Sequence, residues 1–313
     1  MKLATIRTGD GRERVAVVLD GERRLLDLGS AHERVRGGES AALASMLALI
    51  GGGDAALELA RQLVEAAPEE AIVDRSAVTL LAPIPVPPQI RDFLAFEQHL
   101  KGAFAMAEQL TGRHMDIPAV WYQQPIYYKA NRFSVVGPGA EVRWPSYAQL
   151  LDYELELACV IGKPGVDIAP EEAAGHVFGF TIFNDVSARD AQATEMEGQL
   201  GPAKGKDFDT GNVLGPWLVT ADEVGDPYDL TMVARVNGEE WSRGHSGTMH
   251  HRFEDIIAFV SRSETLHPGE ILGSGTVGRG CGLELGRFLN PGDVIELEVE
   301  RIGVLRNRIV KER

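Results

Sequence analysis

The stretch LDYELELACVIG, residues 151–162, decides how the rest of the chain is read. Its acids Asp152, Glu154 and Glu156 alternate with Tyr153, Leu155 and Leu157, and a period of two puts alternate side chains on opposite faces of a strand. The continuation ACVIG is apolar on both faces, which predicts a strand interior to a sheet. A second strongly apolar run, GFTIFND at 179–185, ends on another acid, Asp185. Carboxylates facing one another at the ends of interior strands repel strongly at low dielectric, and a hard divalent cation with oxygen ligands removes that repulsion. Mg2+ or Mn2+ suits two or three carboxylates plus water. The alternation by itself leaves two readings open, a solvated acidic strand face and a metal site.

The composition around this stretch narrows the classes. The chain has 313 residues, 44% hydrophobic and 25% charged, which is globular in character. Glycine and proline make 51 of 313 residues, above the usual share of about 12%, so many turns and short strands are expected rather than an all-helical bundle. A net charge of −15 disfavours nucleic acid, and the one basic cluster, Arg301 to Arg313, reads as a solvated strand edge. Cys159 and Cys281 stand far apart with no CxxC spacing, so neither a zinc framework nor a disulfide is indicated. No signal-peptide core and no run of 18 apolar residues occurs, from which a cytoplasmic protein without membrane contact is expected.

Outward from the acidic strand, residues 1 to 75 read as a small N-terminal domain. Short strands (LATIRT, RVAVVLDG, RRLLDL) precede an alanine- and leucine-rich helical stretch from Ala41 to Ala67. Residues 76–90 contain Pro83, Pro85, Pro87 and Pro88, cannot sustain a helix, and read as an extended linker. From Asp92, DFLAFEQHLKGAFAMAEQL carries Phe93, Phe96, Leu100 and Phe104 at helical spacing, which predicts a helix or a pair of helical turns. Residues 91–313 are otherwise strand-like runs separated by PG and GxG turns, one β-rich domain. The fold class expected is α+β, mostly β.

Five ordered segments carry a resemblance: LDYELELACVIGK, GFTIFNDVSARDAQ, KGKDFDTGNVLGPWLVT, TLHPGEILGSGTVG and LNPGDVIELEVERIGVLRN. Together they resemble the fumarylacetoacetate hydrolase family over most of residues 85 to 313. The resemblance implies a mixed β-sandwich-like roll with a small N-terminal β-containing domain, a homodimer, and a divalent metal that chelates a 2-keto or 2,4-diketo acid. It places the metal ligands at Glu154, Glu156 and Asp185, with Asp152 in the motif but outside the ligand set. Mg2+ is the cation expected, Mn2+ or Ca2+ the alternatives. The segment DFLAFEQH is similar to the fumarylacetoacetase branch, which makes Asp92 a fourth carboxylate, His99 the catalytic base and Glu284 of GCGLEL its support. Arg189 and Gln192 of SARDAQ, Lys206 of GKDF and Thr276 of GSGT match the family's substrate and oxyanion contacts.

The reaction these roles imply is hydrolysis of a C–C bond. His99, oriented by Glu284, deprotonates a water, and the leaving carbanion is tolerable only as the enolate of a chelated dicarbonyl. Lys206 suits a developing oxyanion, and Arg189 a carboxylate. Two departures bear on the substrate: Leu94 stands where that branch has tyrosine, and Lys129 of PIYYKANRF, a substrate-binding residue by the resemblance to the broader bacterial family, stands where that branch has an aromatic contact. The segment LTGRHMDIPAVWYQQP, with Trp121 and Tyr122, reads equally as part of a lid or as a dimer contact. Two alternatives stand beside hydrolysis. The same site could isomerise, decarboxylate or hydrate a 2-keto acid of the kind met in aromatic catabolism, or the protein could be a non-catalytic metal-binding dimer.

Overall fold

The computed structural model describes residues 1–112 and 114–311. Arg113 of the tryptophan-bearing segment and the last two residues of the basic C-terminal run lie outside the described residues. The strand Leu155–Ile161 is interior, as the apolar continuation predicts, and all seven of its residues are buried. It pairs antiparallel with Val177–Asp185 on one side and with Ile271–Gly273 on the other. A twelve-stranded sheet grows outward from this trio. On one flank Asn212–Thr220 follows, then the N-terminal strands Lys2–Arg7, Glu13–Leu19 and Arg24–Asp27. On the other flank Ile90–Phe93 runs parallel to Ile271–Gly273, and Tyr127–Lys129 closes the edge antiparallel to it.

The two faces of this sheet are covered differently. Leu155, Leu157, Cys159 and Ile161 share an apolar core with Ala234, Leu297 and Leu305. Those three belong to a second, five-stranded sheet that includes Thr231–Val236, Val294–Val299 and Gly303–Val310. Ala158 and Val160 face the other way, into a core shared with Leu49, Ile50 and Leu63, which come from the N-terminal helices Met46–Gly51 and Gly53–Ala66. The result is a mixed β-sandwich roll with helices, mostly β, with the N-terminal strands and helices laid on its edge and outer face. The even-numbered face that carries Ala158 and Val160 also carries Glu156 and Glu154 nearer the start of the strand, so both acids are buried with it.

One expectation is corrected here. Asp92 does not begin a helix: Ile90–Phe93 is a strand with all four side chains buried, and the helix starts at Glu97 and runs to Thr111. Pro87 and Pro88 force an extended approach, and the open edge of Ile271–Gly273 captures the next four residues before a helix can nucleate. The proline segment is extended and packed on the body of the protein, with Ala82, Pro83 and Ile84 buried and the Thr5 hydroxyl donating to the Pro83 carbonyl at 2.6 Å. Among the described residues no helix is long and apolar enough to cross a membrane.

Leu157 is wholly buried in the core between the two sheets. Leu157→Ala is expected to destabilise the protein by about 2–5 kcal/mol, read as a lower urea midpoint with an unchanged slope.

Candidate active site

Strand register assembles the site. Gly273 pairs with Asp92 on one side and Ala158 on the other, and Leu155 lies opposite Asn184, so Asp92, Glu154, Glu156 and Asp185 end on neighbouring strands. All four are buried, and one oxygen from each lies within 4.8 Å of the others. The room for them comes from Gly273. A Cβ there would stand 2.5 Å from Asp92 Oδ1 and 2.9 Å from Glu156 Oε2, closer than real Cβ atoms approach.

Each carboxylate is held differently. Asp185 Oδ2 accepts from the Tyr128 hydroxyl and from Lys206 Nζ, both at 2.6 Å. Glu156 Oε2 accepts from the Gly275 amide at 3.1 Å. Both oxygens of Glu154 are engaged, one by Lys206 at 2.6 Å and the other by Arg189 at 2.7 Å. Asp92 Oδ1, Glu156 Oε1 and Asp185 Oδ1 are buried and accept no hydrogen bond from the described protein. Buried anionic oxygens without donors are costly, and three of them converging fit a divalent cation that binds through oxygen.

The charges respond to this crowding. Burial, and then the neighbouring Asp185, push the Asp92 carboxyl far above the usual range. Burial followed by Asp92 does the same to Glu156. For Asp185 burial outweighs the attraction of Lys206, and its carboxyl is also raised. Glu154 goes the other way: burial would raise it, but Lys206 and Arg189 together hold it below the ordinary value. Lys206 itself stays protonated, because Asp185 and Glu154 overcome its desolvation.

A second group stands beside the cluster. His99, on the helix Glu97–Thr111, places Nδ1 2.7 Å from Glu284 Oε1, across 185 residues of sequence. Glu284 Oε2 accepts from the Arg279 amide at 2.8 Å. The helix can lie this close because residue 102 is glycine; a Cβ there would meet Glu284 Oε2 at 2.5 Å. Asp152 anchors the same turn, accepting from the amides of Gly282 at 2.7 Å and Leu283 at 2.9 Å and from Arg189. The acid that the motif contains but the ligand set omits thus ties Glu284's turn to the acidic strand.

A cleft of about 750 Å3 reaches both groups, and Asp92, His99, Glu154, Glu156, Arg189 and Lys206 line it. Gln192 and Thr276 line it too, the former accepting from Arg189 at 2.9 Å. Arg189 pairs with Asp152 and Glu154, so its cation orients acids of the site. Lys129 borders the cleft with its side chain about half exposed, its Nζ 3.9 Å from Glu264. Its neighbour Tyr128, opposite Asp92 in the register, is the residue of that strand that bonds to the carboxylates. Sequence reasoning passed over Tyr128, although strand alternation with Lys129 carried the signal. Asn184 was passed over as well, whose side chain accepts from the Glu154 amide at 3.0 Å. Trp121 donates to the Leu94 carbonyl at 2.6 Å and stacks on His250, while Tyr122 donates to Glu97. That segment therefore packs over the start of the His99 helix, and none of its described residues lines the cleft.

In chelator-treated protein the raised carboxyls of Asp92 and Glu156 keep protons in the folded state that the unfolded chain has released above about pH 5. Their contribution is present below that pH and is lost as pH rises through their folded values. Glu154, held low, stabilises above its unfolded value and loses that contribution only in stronger acid. Thermal melts should accordingly give a lower Tm near pH 8 than near pH 5, and added Mg2+ or Mn2+ should raise the Tm more at the higher pH.

Comparison with known proteins agrees with this geometry. Residues 89–310 match the family model described as fumarylacetoacetate (FAA) hydrolase C-terminal. The chain is 38% identical over 260 residues to the human protein named oxaloacetate tautomerase FAHD2A, mitochondrial, covering 82% of this chain and 77% of that one. It is 34% identical to oxaloacetate tautomerase YisK of Bacillus subtilis, covering 94% and 95% of the two chains. Among solved structures, fumarylacetoacetate hydrolase from Exiguobacterium antarcticum superposes with a TM-score of 0.75 at 29% identity over the whole of both chains. With four buried carboxylates clustered in its sheet and a family match over residues 89–310, the chain belongs to the fumarylacetoacetate hydrolase family.

Proposed function

We propose that the protein is a metal-dependent enzyme that moves a proton at the carbon next to the carbonyl of a 2-keto acid, with keto–enol tautomerisation of an oxaloacetate-like acid as its reaction. The observation that carries this reading is the His99–Glu284 pair, 2.7 Å apart, with His99 lining the same cleft as Asp92, Glu154 and Glu156. The names of the human and Bacillus relatives support it. Asp92, Glu156 and Asp185 would hold the cation, with Glu154 beside them. When bound, the cation would supply the positive charge that polarises the carbonyl of the keto acid and acidifies the neighbouring C–H. Mg2+ is the cation proposed, because the ligand set is all oxygen.

The protein's own groups supply the rest. With Nδ1 committed to Glu284, Nε2 of His99 is the nitrogen left to exchange a proton with substrate. Glu284 fixes the tautomer and stabilises the imidazolium that forms. Lys206, protonated and buried among the acids, offers a point charge to the enolate oxygen, and Thr276 and Gln192 offer hydrogen bonds along the cleft. Proton uptake by His99 at one site of the enol and return at the other completes the tautomerisation without a hydrolytic water.

A second reading is C–C hydrolysis of an acylpyruvate. What favours it is the outer part of the cleft, walled by Leu100, Phe104, Ile126, Met196 and Leu283, which exceeds the needs of a four-carbon acid and suits an acyl chain. A homodimer is proposed on the resemblance, and light scattering would then give twice 34.0 kDa. Residence in the cytoplasm is proposed on the two unpaired thiols, Cys159 and Cys281, and cell fractionation tests it.

The deciding assay follows the ultraviolet absorbance of enol-oxaloacetate with Mg2+ present, alongside mass analysis of an acylpyruvate panel. Accelerated loss of the enol with no fragments is the expected outcome, whereas two carbon fragments from an acylpyruvate would favour the second reading. His99→Gln should lower turnover by about 10²–10⁴-fold while the Mg2+ dissociation constant stays as in the wild type. Wild-type turnover in that variant would sink the role of His99. Removal of divalent cations should abolish activity, and Mg2+ or Mn2+ should restore it.

A further inference from the structure

We propose that His99, Cys281 and Glu284 form a second metal site, for a borderline-soft divalent cation such as Zn2+, and that its occupation switches off the base. The switch rests on the base role given to His99 above; the site does not.

The three donors already converge. Nδ1 of His99 is 2.7 Å from Oε1 of Glu284, and Cys281 Sγ is 3.5 Å from that oxygen and 4.0 Å from that nitrogen. Donors on one tetrahedral Zn2+ with bonds of ~2.0–2.3 Å stand roughly 3.3–3.7 Å apart, so the main adjustment is to widen the histidine–glutamate contact by roughly half an ångström. Glu284 can make that move, because its other oxygen remains anchored on the Arg279 amide. Cys281 is fixed by its backbone bridge to Glu154, at the start of the turn that carries Glu284. A thiolate, an imidazole and a carboxylate form a set that Zn2+ accepts and Mg2+ avoids, whereas the all-oxygen cluster has the opposite preference.

The thiol does not act alone. Burial, and then the charge of Asp152, push it well above its usual range, so without a cation Cys281 is a protonated, unreactive side chain. Binding forms the metal–sulfur bond and releases the thiol proton to solvent, with no change of oxidation state. The effect on His99 follows from its tautomer. In the working pair the ring proton is on Nδ1, directed at Glu284, and Nε2 carries the lone pair. A cation on Nδ1 takes the lone pair there, which puts the ring proton on Nε2, and a protonated Nε2 cannot accept another. The carboxylate cluster keeps its own cation throughout.

The test uses Co2+ as a spectroscopic probe and Zn2+ as the inhibitor, with Mg2+ saturating. Wild-type protein should show a thiolate-to-cobalt charge-transfer band that is absent from Cys281→Ala. Zn2+ should inhibit in a manner that neither excess Mg2+ nor excess substrate reverses. Outer-shell changes at metal sites cost 10–100-fold in affinity, so loss of the sulfur ligand should raise the inhibitory Zn2+ concentration at least about 100-fold in Cys281→Ala, with turnover in Zn2+-free buffer retained. Cys281→Ser repeats the comparison with a side chain of similar size should the alanine variant fail to fold. Absence of the sulfur band in wild type, or equal Zn2+ inhibition with and without Cys281, would overturn the site. The band without inhibition would overturn the switch and, with it, the assignment of His99 as the base.

Discussion

Repulsion among buried carboxylates is the constraint on which the rest of the molecule depends. Asp92, Glu154, Glu156 and Asp185 come together across four consecutive strands of the larger sheet. Their mutual repulsion there is far larger than it would be on a surface. The protein offsets part of it with two buried cations, Lys206 and Arg189, and both lean on Glu154. Lys206 also pairs with Asp185, yet one oxygen each of Asp92, Glu156 and Asp185 is left buried without a hydrogen-bond donor. The asymmetry leaves a converging set of oxygens that fits a divalent cation.

The same economy of position governs the histidine–glutamate pair. Glycine at 102 lets a helix approach a carboxylate, and glycine at 273 lets two carboxylates approach a strand. Asp152, which contributes nothing to the cluster's free oxygens, accepts from two amides of the turn that carries Glu284 and from Arg189. Through Arg189 that acid also touches Glu154, so cluster and dyad share one hydrogen-bonded frame. A change at Asp152 should thus disturb both parts of the site although the residue lines neither.

Much of this was legible in the sequence for a physical reason. Strand period and burial are local, so 151–162 and 179–185 announced interior strands ending on acids. Ordered motifs extended that reading to Lys206, Thr276 and Glu284. What stayed illegible depends on register and partner choice. Phe93, Phe96, Leu100 and Phe104 fit a helix, yet the edge of Ile271–Gly273 made Ile90–Phe93 a strand. Arg189 was expected to serve substrate, and its partners proved to be Asp152 and Glu154. Tyr128 was overshadowed by the charge of Lys129, and only the pairing with Asp92 shows which of the two side chains meets the carboxylates.

The pairing of Lys2–Arg7 with Asn212–Thr220 has a consequence for how the chain is made. Lys2 and Leu3 lie opposite Val219 and Leu218, so this strand meets that neighbour only after the intervening chain, with the central strands Leu155–Ile161 and Val177–Asp185, has emerged. Contacts of such long range slow folding, and an edge left waiting is prone to pair with the wrong chain. During that interval the local partners, Glu13–Leu19 and Arg24–Asp27, can shelter the N-terminal strand as a small meander. Translation order thus makes the N-terminal strands a holding structure before they become the flank of the larger sheet.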